Sequence, residues 1–501
     1  MRTRRALYNS ISSLILEAVS IICGFILPRV ILSAFGSTYN GLTASITQFL
    51  SFVTLLRAGV GGVTRAALYK PLAENDMDRI SGIVNATKIF MRRIAFIFAA
   101  GLVVFALVYP FLVRESFDFL FTCILVLIMG MATFVQYYFA ISYQILLIAD
   151  QRQYMIAVIQ SITLILNLMI TVILIKLGHG IQAVKLGSTA VFCLNPLLTV
   201  LYIERKYSLR KSAEPDNTAL SQRWDAFTHQ IAAYIQENTD VMVLTAFSGV
   251  VEVSVYSVYF LVANGVKKLL AVLTVGCEPI FGNMIALNDY DSLRRNMIRM
   301  EYLVFSAATV VYSCFVFLIV PFVSIYTSGI TDAEYVRPLF AIVLSLSQFV
   351  CCIRVPYQNV ADAAGHFKQT RNSAVIEAFL NLSISIVMVI CWGLVGVAIG
   401  TLISSAYRTV YLMIYAWKHI LNRACYSCIK RIGCCLLEFT LIYTLVRCFV
   451  NMPVTGYASW FVYAGIVGFL SFVVVLLCSV IFDRKVLFDC VRKAASILRL
   501  H

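Results

Sequence analysis

The sequence predicts an all-α polytopic membrane protein of fourteen transmembrane helices, arranged as two pseudo-symmetric six-helix bundles followed by two extra C-terminal helices. Three observations carry this. The 501 residues are 60% hydrophobic and only 13% charged, with mean hydropathy +0.86. A soluble domain is roughly 45–50% apolar and about 25% charged. The basic residues also alternate between the two sides of the predicted membrane, and the first twelve spans repeat at a nearly fixed distance.

A span needs about 20 mostly apolar residues. The opening MRTRRALYNSISS leads into such a run without a compact apolar core and cleavage site, so 7–34 reads as a first span and not a signal peptide. GSTYN separates it from 41–69, and PLAENDMDR closes that second span before 86–112. RESFD divides 86–112 from 118–149, DQR divides that span from 153–177, and LGHG precedes 180–203. The longest polar segment, near 204–225, leads to 226–248 and 252–285. NDYDSLRR then opens 297–326, and the remaining spans are 335–364, 369–391, 394–417, 431–450 and 458–481. Several exceed the bilayer's need, which implies tilting or protrusion.

The charges test this division. With the N-terminus cytoplasmic, the inside segments hold 28 Lys and Arg, whereas the outside loops hold only Arg114, Lys176 and Arg337. That bias obeys the positive-inside rule and places both termini in the cytoplasm. It also accounts for the net charge of +15, which in a soluble protein would suggest nucleic acid. The 15 cysteines are scattered, many in apolar runs where they act as small hydrophobes. Cys425 and Cys428 have CxxC spacing without a second pair, so no metal site is expected.

YQILLIADQRQYMIAVIQSITLILNL at 143–168 aligns without gaps on YQNVADAAGHFKQTRNSAVIEAFLNL at 357–382, an offset of 214. LSAFG at 32–36 resembles LTAFS at 244–248, and Val60-Gly61 resembles Val275-Gly276. LLRAGVGGVTRAALYKPLAEND and LAVLTVGCEPIFGNMIALNDYD share one cadence. The expected domains are therefore a first bundle over 1–204, a cytoplasmic linker over 205–225, a second bundle over 226–420, and the last two helices with a tail over 421–501. Six is even, so both copies share one orientation. Such parallel repeats are a transporter signature, with the substrate held between the halves near the midplane.

The segment GFILPRVILSAFGSTYNGLTASITQFLSFVTLLRAGVGGVTRAALYKPLAENDMDRI resembles the first two helices of the polysaccharide exporter, or O-antigen flippase, family. That family belongs to the multidrug, oligosaccharidyl-lipid and polysaccharide exporter superfamily. The cues are YNGL, the LLRAGVGG glycine cluster and the PLAEND exit. The 6+6+2 plan extends the resemblance over the whole chain. It implies a secondary transporter, not an enzyme, that flips a polyprenyl-diphosphate-linked oligosaccharide across the bacterial cytoplasmic membrane by alternating access. Polysaccharide and lipopolysaccharide biosynthesis, a polymerase machinery as partner, and no cofactor follow from the same resemblance.

Nine cations remain within spans: Arg29, Arg57, Arg65, Lys185, Lys267, Lys268, Arg354, Arg408 and Arg447. A charge at membrane depth costs about 2.5–3.5 kcal/mol on insertion scales, so it marks a pathway or a pairing. Lys185, Arg447, Arg65 and Arg408 lie nearer span ends, where long side chains snorkel. Arg57, Lys267, Lys268, Arg29 and Arg354 are the candidates for substrate binding. Arg57 and the two lysines occupy repeat-equivalent spans, and guanidinium groups grip phosphate oxygens bidentately. Arg29 stands about two positions from the cavity arginines of the related lipid-linked peptidoglycan-precursor flippases. Asp240 and Glu237 are candidates for a coupling proton or Na+; at offset 212 Asp240 falls on Pro28, beside Arg29. The other acids in or near spans are Glu17, Glu278, Asp362, Glu377 and Glu438. Tyr137, Tyr138, Tyr143, Tyr357 and Tyr407 are candidates to stack on sugar rings.

The chain carries no GxxxxGK[ST], HExxH or GxSxG motif, and its five histidines are scattered. Two rivals remain. A cation-coupled multidrug antiporter of the same superfamily would have twelve helices and an acidic cavity. A membrane-embedded glycan polymerase or glycosyltransferase would need a large outer loop or carboxylate.

Overall fold

The computed structural model describes residues 2–51, 61, 64–65, 67–72, 74–210, 213–216, 238–274, 277–421, 426–450 and 452–498. Among these, every regular element is helical. Among the described residues eleven helices are long and apolar enough to cross a membrane, and the chain is a multi-pass membrane protein. In chain order the helices are α1 (Arg2–Leu50), α2 (Met77–Leu112), α3 (Phe119–Phe139), α4 (Ile141–Ala149), α5 (Gln153–Lys176), α6 (Ile181–Lys206) and α7 (Gly249–Ala271). They continue with α8 (Cys277–Ala286), α9 (Tyr290–Tyr326), α10 (Pro338–Ala363), α11 (Phe367–Tyr415), α12 (Tyr426–Phe449), α13 (Tyr457–Phe482) and α14 (Arg484–Leu498).

Several expected boundaries differ. The first two spans run through one continuous α1 with a kink at Gly36 (φ 84), and the eleventh and twelfth through α11 with a kink at Gly393 (φ 53). A peptide unit reversed by a glycine at positive φ turns the chain without a connecting loop. The expected 118–149 span breaks at Ala140, and the α-helix of the expected 252–285 span gives way to a 3-10 turn at Val272–Thr274. Most of the seventh expected span, and much of the second, falls outside the described residues.

The repeat is written in the backbone. Of nine residues at positive φ among those described, eight form four pairs: Gly36 with Gly249, Asn75 with Asn288, Gln151 with Gly365, and Gly178 with Gly393. Their spacings are 213, 213, 214 and 215 residues. The spacing of 213 at Gly36 and Gly249 revises the local alignment of LSAFG on LTAFS by one residue. Asp240 then stands opposite Leu27 and not Pro28.

The doubled Asn-Asp exit has a purely structural explanation. In each copy the Asn adopts the left-handed conformation and the Asp caps the following helix. Asp76 accepts from the Arg79 N–H and Asp289 from the Ser292 N–H, each at 3.0 Å. Side-chain oxygens at this position satisfy amides that the helix leaves open. Hydrogen bonds from Ser292 hold the Asp289 carboxyl below its usual range. A depressed carboxylate contributes stability above its unfolded pKa, and the contribution disappears as pH falls through the folded value. Asp289→Ala is therefore expected to lower the melting midpoint at pH 7 relative to the native chain. The gap should close below about pH 4, as followed by thermal denaturation of the detergent-solubilised protein.

The chain forms two compact units, residues 1–254 and 255–501. In the first, Leu42, Ile46, Tyr109, Leu125 and Leu146 build the core. A polar seam joins the end of α1 to residues 238–254. Asn40 donates to Ser254 and Ser45 shares a hydrogen bond with Thr245, both at 2.8 Å, while Gln48 donates to Asn238. At Gly41 the helices touch so closely that a Cβ would lie 1.6 Å from the Val250 carbonyl oxygen. The YNGL stretch is thus a small-residue crossing braced by hydrogen bonds.

In the second unit Phe305, Tyr312, Phe340, Tyr357 and Trp417 are fully buried. The last two spanning helices, α12 and α13, pack on α9 through Ile442, Val446, Tyr463 and Val467 against Phe317 and Leu318. Trp460 Nε1 donates to the Leu318 carbonyl at 3.0 Å. The final helix, α14, was expected only as a tail.

Candidate functional site

The site in the second unit is assembled on α11. Its first limb carries Ser373, Glu377, Asn381 and Ser385 at four-residue spacing, all essentially inaccessible. Residues four apart stack on one helix face, so these form a polar column. Its second limb faces the column with Thr401, Ser404, Ser405 and Arg408. Asn381 Nδ2 donates to Thr401 Oγ1 at 3.0 Å.

The first unit holds the uncharged version of this column. Thr163, Asn167 and Thr171, each 214 residues earlier than its counterpart, are buried on α5. There Ser188 donates to Asn167 at 2.5 Å. The partner lies 21 residues along in one copy and 20 in the other. The matched Asn-Leu pairs of the sequence repeat therefore mark a shared hairpin lock.

Charge distinguishes the second copy. Where the first has Thr163, the second has Glu377, fully buried and gripped by two arginines. Arg354 Nη1 on α10 lies 2.6 Å from one carboxylate oxygen, and Arg408 Nη1 lies 2.7 Å from the other. The first-unit counterpart of Arg354 is Ala140, and that of Arg408, at the spacing of 213 set by Ser188 and Thr401, is Asn195, so the hairpin folds without these charges. Two guanidinium groups and one carboxylate leave a cation in excess. Arg408 Nε is buried without a hydrogen-bond partner, as is Asn381 Oδ1. Such groups at membrane depth carry a large desolvation cost, and an arriving anion would satisfy the donor.

The candidate residues are placed as follows. Arg354 is largely buried in this cluster. Lys267 is partly buried on α7. Lys268 is exposed on α7. Arg29 is partly buried next to Pro28 in the middle of α1, and Asp240 is buried in the first unit. Arg57 and Glu237 lie outside the described residues.

Arg408 differs from the snorkelling expected of it, because Glu377 holds it inward. Arg65 bends back to the Gly61 carbonyl at 3.1 Å, while Arg447 is exposed over the Tyr443 ring, as expected of an interface cation. The buried Glu301, which accepts from Trp417 Nε1 at 2.9 Å, was not singled out. Its position just inside the start of the ninth span was the available signal.

The tyrosines also separate. Tyr137, Tyr143 and Tyr357 are buried, and Tyr138 lies under the Arg92 guanidinium at 4.7 Å. Tyr407 instead heads a ladder of rings with Tyr411 and Tyr415 along α11, at centroid spacings of 6.5 and 6.1 Å. These rings stay partly accessible.

No protein-family model matches the chain, and no curated protein matches it in sequence. Solved structures do match in fold. The inward closed conformation of the lipid II flippase MurJ superposes with a TM-score of 0.71 at 16% identity, covering 96% of this chain and 100% of that one. An inward-facing multidrug resistance MATE family transporter of the MOP superfamily gives 0.57 at 12% identity, covering 82% and 98%. A eukaryotic MATE transporter, AtDTX14, gives 0.55 at 15% identity, covering 86% and 99%. The chain thus has the fold shared by the lipid II flippase MurJ and the MATE transporters.

Proposed function

We propose that this protein flips a polyprenyl-diphosphate-linked oligosaccharide, the repeat unit of a polysaccharide such as O-antigen, across the bacterial cytoplasmic membrane by alternating access. Fourteen helices form two six-helix bundles plus two, with both termini cytoplasmic. The observation that carries this reading is the Arg354–Glu377–Arg408 cluster, a cation-rich site buried in one repeat copy and missing from the other. A diphosphate brings about two negative charges, which a guanidinium at low dielectric attracts strongly.

In this reading Arg354, Arg57, Lys267, Lys268 and Arg29 hold the diphosphate or an acidic sugar. Tyr407 and its ladder offer stacking faces to the glycan. Asp240 or Glu237 binds a coupling proton or Na+. The polyprenyl tail lies against α12, where cavities of about 260 and 360 Å³ are lined by apolar side chains of α9 to α12, such as Phe349, Leu436 and Phe439. Coverage of 96% of the chain by the lipid II flippase fold, against 82–86% for the two MATE structures, favours a lipid-linked cargo over a multidrug antiport.

Arg57→Ala combined with Lys267→Ala is expected to abolish translocation of lipid-linked oligosaccharide in proteoliposomes. Unchanged translocation would remove the basic-cavity mechanism. Proton- or Na+-driven export of a cationic drug in the same vesicles would favour the antiporter instead.

A further inference from the structure

The last helix creates a second basic site outside the transport cluster. α14 begins two residues after α13 ends, so it turns off directly from a spanning helix. Asp489 ties it to α9 through Arg299 at 2.7 Å, and Lys493 donates to Asn296 at 2.8 Å. Between α9 and α14 opens a concavity of about 890 Å³. Arg295, Arg299, Arg484, Lys485 and Arg492 line it, with Asp489 as its single acid.

That acid is already engaged. Its carboxyl is held below the usual range, chiefly by the Arg299 hydrogen bond. Arg484, Lys485 and Arg492 are exposed and make no ion pair among the described residues. Ile298, Val486 and Phe488 add apolar lining, and further apolar side chains stay exposed on α13 and α14. Phe488 and Val491 on α14 are 48% and 56% exposed, and Ile481 at the end of α13 is 71% exposed. Arg484 lies 5.7 Å from the Phe488 ring centroid. A helix that buries part of one face and offers both cations and apolar side chains suits the plane of the membrane surface.

We propose that this concavity binds the phosphodiester headgroup of an anionic phospholipid from the cytoplasmic leaflet, whose acyl chains lie beside Phe488, Val491 and Ile481. Unpaired cations call for a phosphate, and the exposed apolar side chains of α13 and α14 call for a ligand whose phosphate is tethered to hydrocarbon at interface depth. Basic pockets on the cytoplasmic side of spanning helices bind such headgroups. The bound lipid ties α14 to α9 and the bilayer, and its occupancy is independent of the transported cargo.

The test uses the purified full-length protein and native mass spectrometry during titration with phosphatidylglycerol or phosphatidylcholine. Phosphatidylglycerol is expected to bind preferentially. Each surface cation contributes roughly fivefold to such binding. Arg484→Ala, Lys485→Ala and Arg492→Ala together are therefore expected to weaken it on the order of 100-fold, with the melting midpoint confirming that the variant is folded. Arg484→Lys with Arg492→Lys should retain most of the affinity. Equal binding of both lipids, or undiminished phosphatidylglycerol binding by the triple variant, would overturn the site. Displacement of the lipid by millimolar inorganic phosphate would assign the pocket to a soluble anion and overturn the lipid assignment.

Discussion

Glu377→Gln is expected to be the most damaging single substitution in the second unit. Glutamine preserves shape and a hydrogen-bonding oxygen but removes the charge that neutralises Arg354 and Arg408, whose guanidinium groups lie 2.6 and 2.7 Å from its two oxygens. Breaking a buried ion pair from one side costs about 3–5 kcal/mol, because the abandoned charge stays buried. Here two charges are abandoned, and they repel each other. The expected outcome is a large fall in the melting midpoint and in the yield of monodisperse protein. Adding Arg408→Asn to Glu377→Gln should recover part of the loss, because it removes one abandoned cation and its first-unit counterpart is Asn195. A Glu377→Gln protein that melts like the native chain would show that the cluster is not mutually compensated.

Arg354→Met is expected to behave in the opposite way: folded, but defective in transport. Arg408 still neutralises Glu377 after this change, so no buried charge is stranded and the stability loss should be well below that of Glu377→Gln. The excess cation is gone, however. A hydrogen bond to a charged group contributes about 1.5–3 kcal/mol, which corresponds to roughly 10- to 150-fold in affinity. Translocation of diphosphate-linked cargo at sub-saturating concentration should fall by a similar factor in proteoliposomes, with the melting midpoint nearly unchanged. Normal translocation by Arg354→Met would exclude the cluster as a diphosphate site, whereas a collapsed fold would make Arg354 part of the scaffold.

Much of the architecture was legible because a membrane imposes one-dimensional rules. Apolar runs must be long enough to span. The repeat was legible for the same reason, since Tyr143-Gln144 and Tyr357-Gln358, or Asn167 and Asn381, recur at one spacing. Helix breaks were less legible. Gly36 and Gly393 turn continuous helices, and Ala140 interrupts one without a Gly or Pro to announce it. The amphipathic tail helix was missed because its length and charge resemble those of a cytoplasmic tail.

The candidate site was legible as a set of residue types and not as a constellation. Glu377 appeared only among other acids, and Arg408 seemed near enough to a span end to reach water. The sequence alone determined the membrane class, the duplication and the presence of costly charges at membrane depth, because hydropathy, charge bias and repeat spacing are properties of a linear chain. Only the tertiary structure decided which charges meet. Pairing depends on helix rotation and on the crossing of α10 with both limbs of α11, and a rotation of one residue (about 100°) would aim Glu377 away from both arginines. The doubled Asn-Asp exit, which the sequence shows only as a repeated cadence, is a helix cap. The charge that sets the two copies apart lies one hairpin further on, at Glu377.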